Sequence, residues 1–171
     1  MPKAIANASP ASRIRRAQAS DLPAIERIER EQFSNPWTRD YYAAELSNSF
    51  SHFYVAEAGL APAGEPGAAP VVAYLLFWRL GEELELHKIA VGRPWQRQGH
   101  AARLLEFFLQ AGRSWGSERA VLEVRESNLA AIRLYEKYAF RQVGRRSDYY
   151  TLPVEDARVY EFDFRGKWTG L

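Results

Sequence analysis

The chain has 171 residues, 47% hydrophobic and 26% charged, which at roughly 100–200 residues per domain reads as one globular unit with a real core and excludes a disordered or fibrous polypeptide. Lys and Arg total 23 against 21 Asp and Glu, too small an excess to make nucleic acid an expected partner; with no Cys, disulfides, thiolate metal sites and a cysteine nucleophile drop out together. The longest apolar run, Val71 to Trp78, is less than half the ~20 residues of a membrane helix, and the opening MPKAIANASPAS has no signal-peptide core, so no membrane role and a cytoplasmic setting are expected.

Residues 1–12, rich in Ala, Ser and Pro, read as a flexible tail, and residues 166–171 as another, flanking one domain over 13–165. Arg13 to Ala17 offers a short strand anchored by Ile14. Asp21 as a cap, Pro23 in the first turn and Leu22, Ile25 and Ile28 at three-residue steps predict a helix to about Glu31. After Asn35-Pro36-Trp37, Thr38 caps a second helix with Tyr42 and Leu46 inward, and the two helices form a hairpin. Strands follow at His52–Glu57, Val71–Trp78 and Leu84–Val91, the first two joined by a Pro/Gly/Ala loop too short to link domains.

The strongest helix starts after Gly99, where Ala101, Leu104, Leu105, Phe108 and Leu109 recur at i, i+3, i+4, i+7 and i+8. Ala120–Val124 is a buried strand, Ser127 caps a helix to about Tyr138, and Phe140–Gly144 and Ala157–Phe164 are final strands. This order predicts an α/β sandwich with helices on both faces of a mixed sheet.

Several positions in this frame could carry chemistry. Gln96-Arg97-Gln98-Gly99-His100-Ala101-Ala102 lies between a strand and the strong helix; its backbone N–H groups and the helix's positive end would cradle a pyrophosphate, with Gly99 and the alanines allowing close approach. Alone, the segment reads as an ordinary turn, and its weight comes from the flanking segments. Asn128, Ala131 and Tyr135 share one helix face, although in an unknown helix Tyr135 is more often a core aromatic. Glu123 stands between Leu122 and Val124 in an apolar strand, where a carboxylate must be paired, for instance with Arg125, or sit at a cleft. Glu85 fits a solvated alternation position, with water-mediated proton acceptance as its functional reading. His52, His87 and His100 are scattered without ligand spacing, so no metal is assigned.

The combination of Q-x-x-G-x-A opening a helix with KIAV before it and LEVRESNLAAIRLYEKYAF after it resembles the GNAT family of N-acetyltransferases. Together with Pro36-Trp37-Thr38, VGRRSDYY and EDA, the likeness runs from about Ile14 to Phe164 and is narrowest to bacterial members that acetylate the N-terminal alanine of a small-subunit ribosomal protein. It implies a single-domain GNAT fold, a mixed, mostly antiparallel sheet of six or seven strands with helices on both faces. It implies acetyl-CoA as cosubstrate, held by the Arg97–Ala102 loop and by Asn128. The strand end Ile89-Ala90-Val91 is implied to be splayed, offering its N–H groups to the pantetheine and the thioester carbonyl. Glu123 would be the base and Tyr135 the acid towards the thiolate, while Trp37, Glu85, Tyr149 and Tyr150 would line the groove of a peptide acceptor. Lys88 stands where this subgroup leads one to expect Asn. Two other readings share these residues: an acetyltransferase of a small amine or antibiotic, and a non-catalytic acyl-CoA-binding module.

Overall fold

The computed structural model describes residues 12–59 and 69–166. Seven strands form one sheet: β1 Arg13–Arg16, β2 Ser51–Glu57, β3 Val71–Leu80, β4 Glu83–Val91, β5 Arg119–Arg125, β6 Arg141–Thr151 and β7 Val154–Asp163. Their order is β1-β2-β3-β4-β5-β7-β6, and every neighbouring pair is antiparallel except β4 with β5. The parallel pair is joined by the crossover helix α3, His100–Ser114, as a parallel connection requires. The other helices are α1 Leu22–Gln32, α2 Arg39–Ser47 and α4 Leu129–Lys137. Among the described residues no helix is long and apolar enough to cross a membrane.

Period-two alternation divides the sheet into two faces. On one, Leu104, Leu105 and Phe108 of α3 and Ile132 of α4 pack against Leu75, Phe77, Leu84, Leu86 and Leu122. On the other, Leu22, Ile25 and Ile28 of α1 and Tyr42 of α2 cover Phe53, Val55, Tyr74, Leu76 and Ala90. The helices thus occupy both faces, as the sequence pattern predicts.

Local departures have physical causes. Asp21 does not cap α1 through its side chain; its carboxylate receives the Arg15 guanidinium at 2.7 Å and the Gln18 N–H at 2.8 Å, ending a short 3-10 turn before the helix. Thr38 does cap α2, accepting from the Tyr41 N–H. The cap of α4 is Asn128 rather than Ser127: its Oδ1 accepts the Ala131 N–H at 3.2 Å, while the Ser127 N–H goes to Glu155. β6 is far longer than the short strand read from apolar residues, because it is exposed along nearly its whole length and shows no alternation, while β7 starts three residues earlier than read, at Val154. The two end tails lie outside the described residues except for Ser12 and Gly166. Ser12 belongs to the fold: it is buried, and its carbonyl accepts from Arg103 at 2.9 Å.

Candidate active site

The site begins where β4 and β5 part. Their pairing runs from Glu83↔Arg119 to Leu86↔Leu122 and stops, although β4 continues to Val91 and β5 to Arg125. β4 stays paired to β3 as far as Val91, so a gap opens on one edge only. Gly92 N–H donates to Val72 of β3 at 2.8 Å. Backbone groups alternate edges along a strand, so the N–H groups of Ile89 and Val91 point away from β3, into the gap. The Val91 carbonyl on that edge accepts from the Gln96 side chain at 3.2 Å.

A bulge decides what faces the gap. Phe77 pairs Leu86 and Leu76 pairs Lys88, leaving His87 as the extra residue. Before it, Leu84 and Leu86 enter the α3 core; after it, Val91 and Ile89 do so, and Ala90 and Lys88 turn towards α1. One inserted residue therefore exchanges the faces of the strand end.

From the strand end the chain makes a 3-10 turn at Arg93–Trp95 and reaches α3 through Arg97 at φ 63° and Gly99 at φ 86°. Both lie in the left-handed region, which suits Gly99 and is uncommon for an arginine. Gln98 donates to the Pro94 carbonyl at 3.0 Å, closing the turn on itself. Ala101 and Ala102 pack against the core with their small side chains, and the N-terminus of α3 opens beside the Gln96 and Val91 contact. His100 is buried at 2% exposure, and among the described residues neither ring nitrogen has a hydrogen-bond partner. Burial, and next the positive charge of Arg103, hold its pKa below the usual imidazole value.

On the α1 side of the sheet Glu123 carries a salt bridge to Arg146 of β6 at 3.1 Å. The partner weighed from sequence, Arg125, serves elsewhere. Burial first, then the charges of Glu83 and Glu123, raises the Glu85 pKa, with Arg146 acting in the opposite direction. His87 Nε2 lies 3.6 Å from Glu85. β6 contributes both tyrosines through a wide bulge, Arg146 pairing Ala157 and Tyr150 pairing Glu155. There Asp148 adopts φ 51° and donates its N–H to Asp156. Burial first, then Glu123, raises the Tyr149 pKa, with Arg146 opposing; the Tyr150 pKa is pushed up to about 12, chiefly by burial and then by Tyr149.

Tyr135 lies in the core on the other side, 5% exposed, its ring 5.8 Å from Phe140. Burial, with a smaller contribution from Tyr150, raises its pKa, so the phenol keeps its proton at neutral pH. Glu123 and Tyr135 thus lie on opposite faces of the sheet. Asn128 is committed through Oδ1 to its cap, which leaves its amide NH2 for any ligand. The Trp37 ring lies 4.2 Å from that of Tyr41, tilted by 49°, with Lys88 Nζ 4.6 Å from its centroid.

Two residues, Arg146 and Glu29, and the pairing of Glu29 with Lys88 escaped the sequence reading. Arg146 lies in a polar stretch without any pattern. Lys88 is visible as a lone cation in an apolar strand end, and Glu29 as an acid at i+4 from Ile25 on the inward face of α1. Reading those two as a pair would have predicted the buried bridge they form, at 2.8 Å.

Residues 22–140, which span the parting parallel pair and the glycine-bearing turn into the crossover helix, match the Acetyltransferase (GNAT) family. The chain belongs to that family. It is 31% identical over 141 residues, 82% of this chain and 87% of the relative, to the [ribosomal protein bS18]-alanine N-acetyltransferase of Escherichia coli. It is 32% identical over 133 residues to the N-alpha-acetyltransferase RimI of Mycobacterium tuberculosis, covering 75% of this chain and 77% of that one. The crystal structure of the E. coli ribosomal-protein-S18-alanine N-acetyltransferase superposes with a TM-score of 0.77 at 28% identity, over 94% of this chain and 98% of that one.

Proposed function

We propose that this protein transfers the acetyl group of acetyl-CoA to the N-terminal α-amine of a protein in the cytoplasm, with a ribosomal protein beginning in alanine as the acceptor class. The observation that carries the reading is the end of β4–β5 pairing at Leu86↔Leu122, with a carboxylate pair on one side of the gap and a protonated phenol on the other. The relatives named above support the acceptor class.

The donor suits the residues present. The Gln96–Ala102 turn offers backbone N–H groups, a left-handed glycine and a helix N-terminus to a pyrophosphate. Ile89 and Val91 offer N–H groups to the pantetheine and to the thioester oxygen as it gains charge. An α-amine with pKa 7.7–8.0 is neutral in roughly one molecule in ten at pH 7, against about 0.04% for a lysine near 10.4, so a modest base serves the first far better. The amine lone pair attacks the thioester carbonyl carbon and the C–S bond breaks. Glu123 takes the proton lost by the amine, directly or through water, and the Tyr135 hydroxyl gives its proton to the sulfur, leaving amide and free CoA thiol. Glu85 stands beside Glu123 as a second acceptor, and Trp37, Tyr149 and Tyr150 border the acceptor side.

The reading is tested by mass spectrometry of peptides differing in their first residue, incubated with enzyme and acetyl-CoA. Acetylation on the α-amine, fastest on Ala, is expected. Thioester hydrolysis without acceptor dependence, or no turnover, overturns it.

A further inference from the structure

Arg125 ends β5 with its side chain on the same face as Glu123, two residues earlier. Its guanidinium donates to the Leu152 carbonyl at 3.0 Å, the Pro153 carbonyl at 3.3 Å, the Glu155 carboxylate at 3.2 Å and the Ser34 hydroxyl at 3.2 Å. The ring of Tyr150 lies 4.1 Å beneath it. Ser34 in turn donates to the Leu152 carbonyl. One side chain therefore ties two segments far apart in sequence, the connection between α1 and α2 and the turn between β6 and β7.

On the N-terminal acceptor reading above, these are the two segments that border the groove: one carries Trp37, the other follows Tyr149 and Tyr150. The α1–α2 connection is also fixed from beneath, because Lys88 lies 3.8 Å from the Phe33 ring and 4.6 Å from the Trp37 ring. With both borders fixed to the sheet, the acceptor side of the gap has a set width. Four contacts from one planar fork are beyond a lysine's point charge, and the flat guanidinium also stacks on Tyr150.

We propose that Arg125 is the clasp of the acceptor groove. It is a positioning residue that holds the α1–α2 connection to the β6–β7 turn, and so limits acceptors to a slim, unbranched chain end with a small first side chain. The inference rests on the N-terminal acceptor reading above and adds to it the residue that enforces acceptor size. Arg125 touches no reacting atom. Its effect is to hold Trp37 and Tyr150 at the spacing that orients the incoming amine.

The test uses the full chain with Arg125→Ala, Arg125→Lys and Ser34→Ala, two peptides that begin with Ala or Phe, and calorimetry of acetyl-CoA binding. Arg125→Ala is expected to raise KM for the Ala peptide by about tenfold with a smaller change in kcat, and to narrow the Ala over Phe preference by about fivefold, while acetyl-CoA affinity stays within about twofold. Arg125→Lys should recover less than half of the effect, and Ser34→Ala should move KM and preference in the same direction by less. Ser34→Ala and Arg125→Lys keep the test open if Arg125→Ala does not fold. Unchanged KM and unchanged preference in these variants overturn the clasp, as does an equal loss of acetyl-CoA affinity. A wild-type enzyme that acetylates neither peptide but does acetylate another amine overturns the N-terminal reading, and the clasp with it.

Discussion

Lys88 donates to Glu29 at 2.8 Å, and the carboxylate that receives it is wholly removed from solvent. The same oxygen accepts the Trp37 N–H at 2.9 Å, and the other accepts the hydroxyl of Tyr74, which shares a 2.9 Å hydrogen bond with Tyr42. Burial lowers the Lys88 pKa while Glu29 pulls it up. The pair thus ties α1, β3, β4 and the start of the acceptor border into one polar knot within an apolar face.

Breaking this knot from one side leaves a buried charge without its counter-ion. Lys88→Met is expected to cost about 3–5 kcal/mol in urea unfolding, whereas Lys88→Met with Glu29→Gln should recover at least half of that loss. A single-variant loss below about 1 kcal/mol would contradict the pairing.

Gly99 sits at φ 86° at the mouth of α3. Gly99→Val adds a β-branched side chain where the backbone is left-handed and where the proposed function brings the cofactor phosphate. Calorimetry should show acetyl-CoA affinity falling at least tenfold, about 1.4 kcal/mol. Unchanged affinity in a folded variant would remove this turn from the cofactor site.

Tyr135→Phe deletes one hydroxyl from a buried ring. If that hydroxyl protonates the departing sulfur, turnover should fall by roughly 10² with acetyl-CoA binding near normal, since the interaction matters in the transition state. Equal turnover would leave Tyr135 as a packing residue against Phe140.

Much of this is written in local pattern. The α3 stripe from Ala101 to Leu109 and the β3 run from Val71 are strong because each buries a continuous apolar face, and the turn at Gly99 follows from its position between them. Glu123 stands out because a lone acid in an apolar strand needs a reason. What pattern could not show was pairing across distance. Arg146 meets Glu123 from the long polar strand β6, whose residues are almost all exposed and carry no periodicity, and Ser34 meets Leu152 in the turn that follows it. The bulge at His87 was equally hidden, since a one-residue slip leaves composition unchanged while it reverses the faces of Lys88 to Val91.

His100 provides a pH test. Its folded pKa is lowered by burial and by Arg103, so as pH falls below about 6.5 the unfolded imidazole binds a proton first and stability drops. The drop is complete only below the folded value. His100→Leu removes this loss and two unpartnered buried nitrogens, so denaturation should find the variant more stable by about 1–2 kcal/mol, the difference widening from pH 7 to pH 5. His52 and His87, also lowered, remain in both proteins and cancel. Parallel stability curves would contradict the assignment.

The acceptor claim is met most directly by one comparison at pH 7: a peptide beginning with Ala, its N-terminally blocked form carrying an internal Lys, and spermidine, each with saturating acetyl-CoA and the product located by fragmentation. Product is expected on the free Ala terminus, faster than on either alternative by about a hundredfold, as the neutral-amine fractions favour; with Glu123→Gln that rate should collapse and recover in part at higher pH, where free amine needs no base. Acetylation of the blocked peptide's lysine, or of spermidine, at rates equal to or above the free Ala terminus would contradict the N-terminal reading.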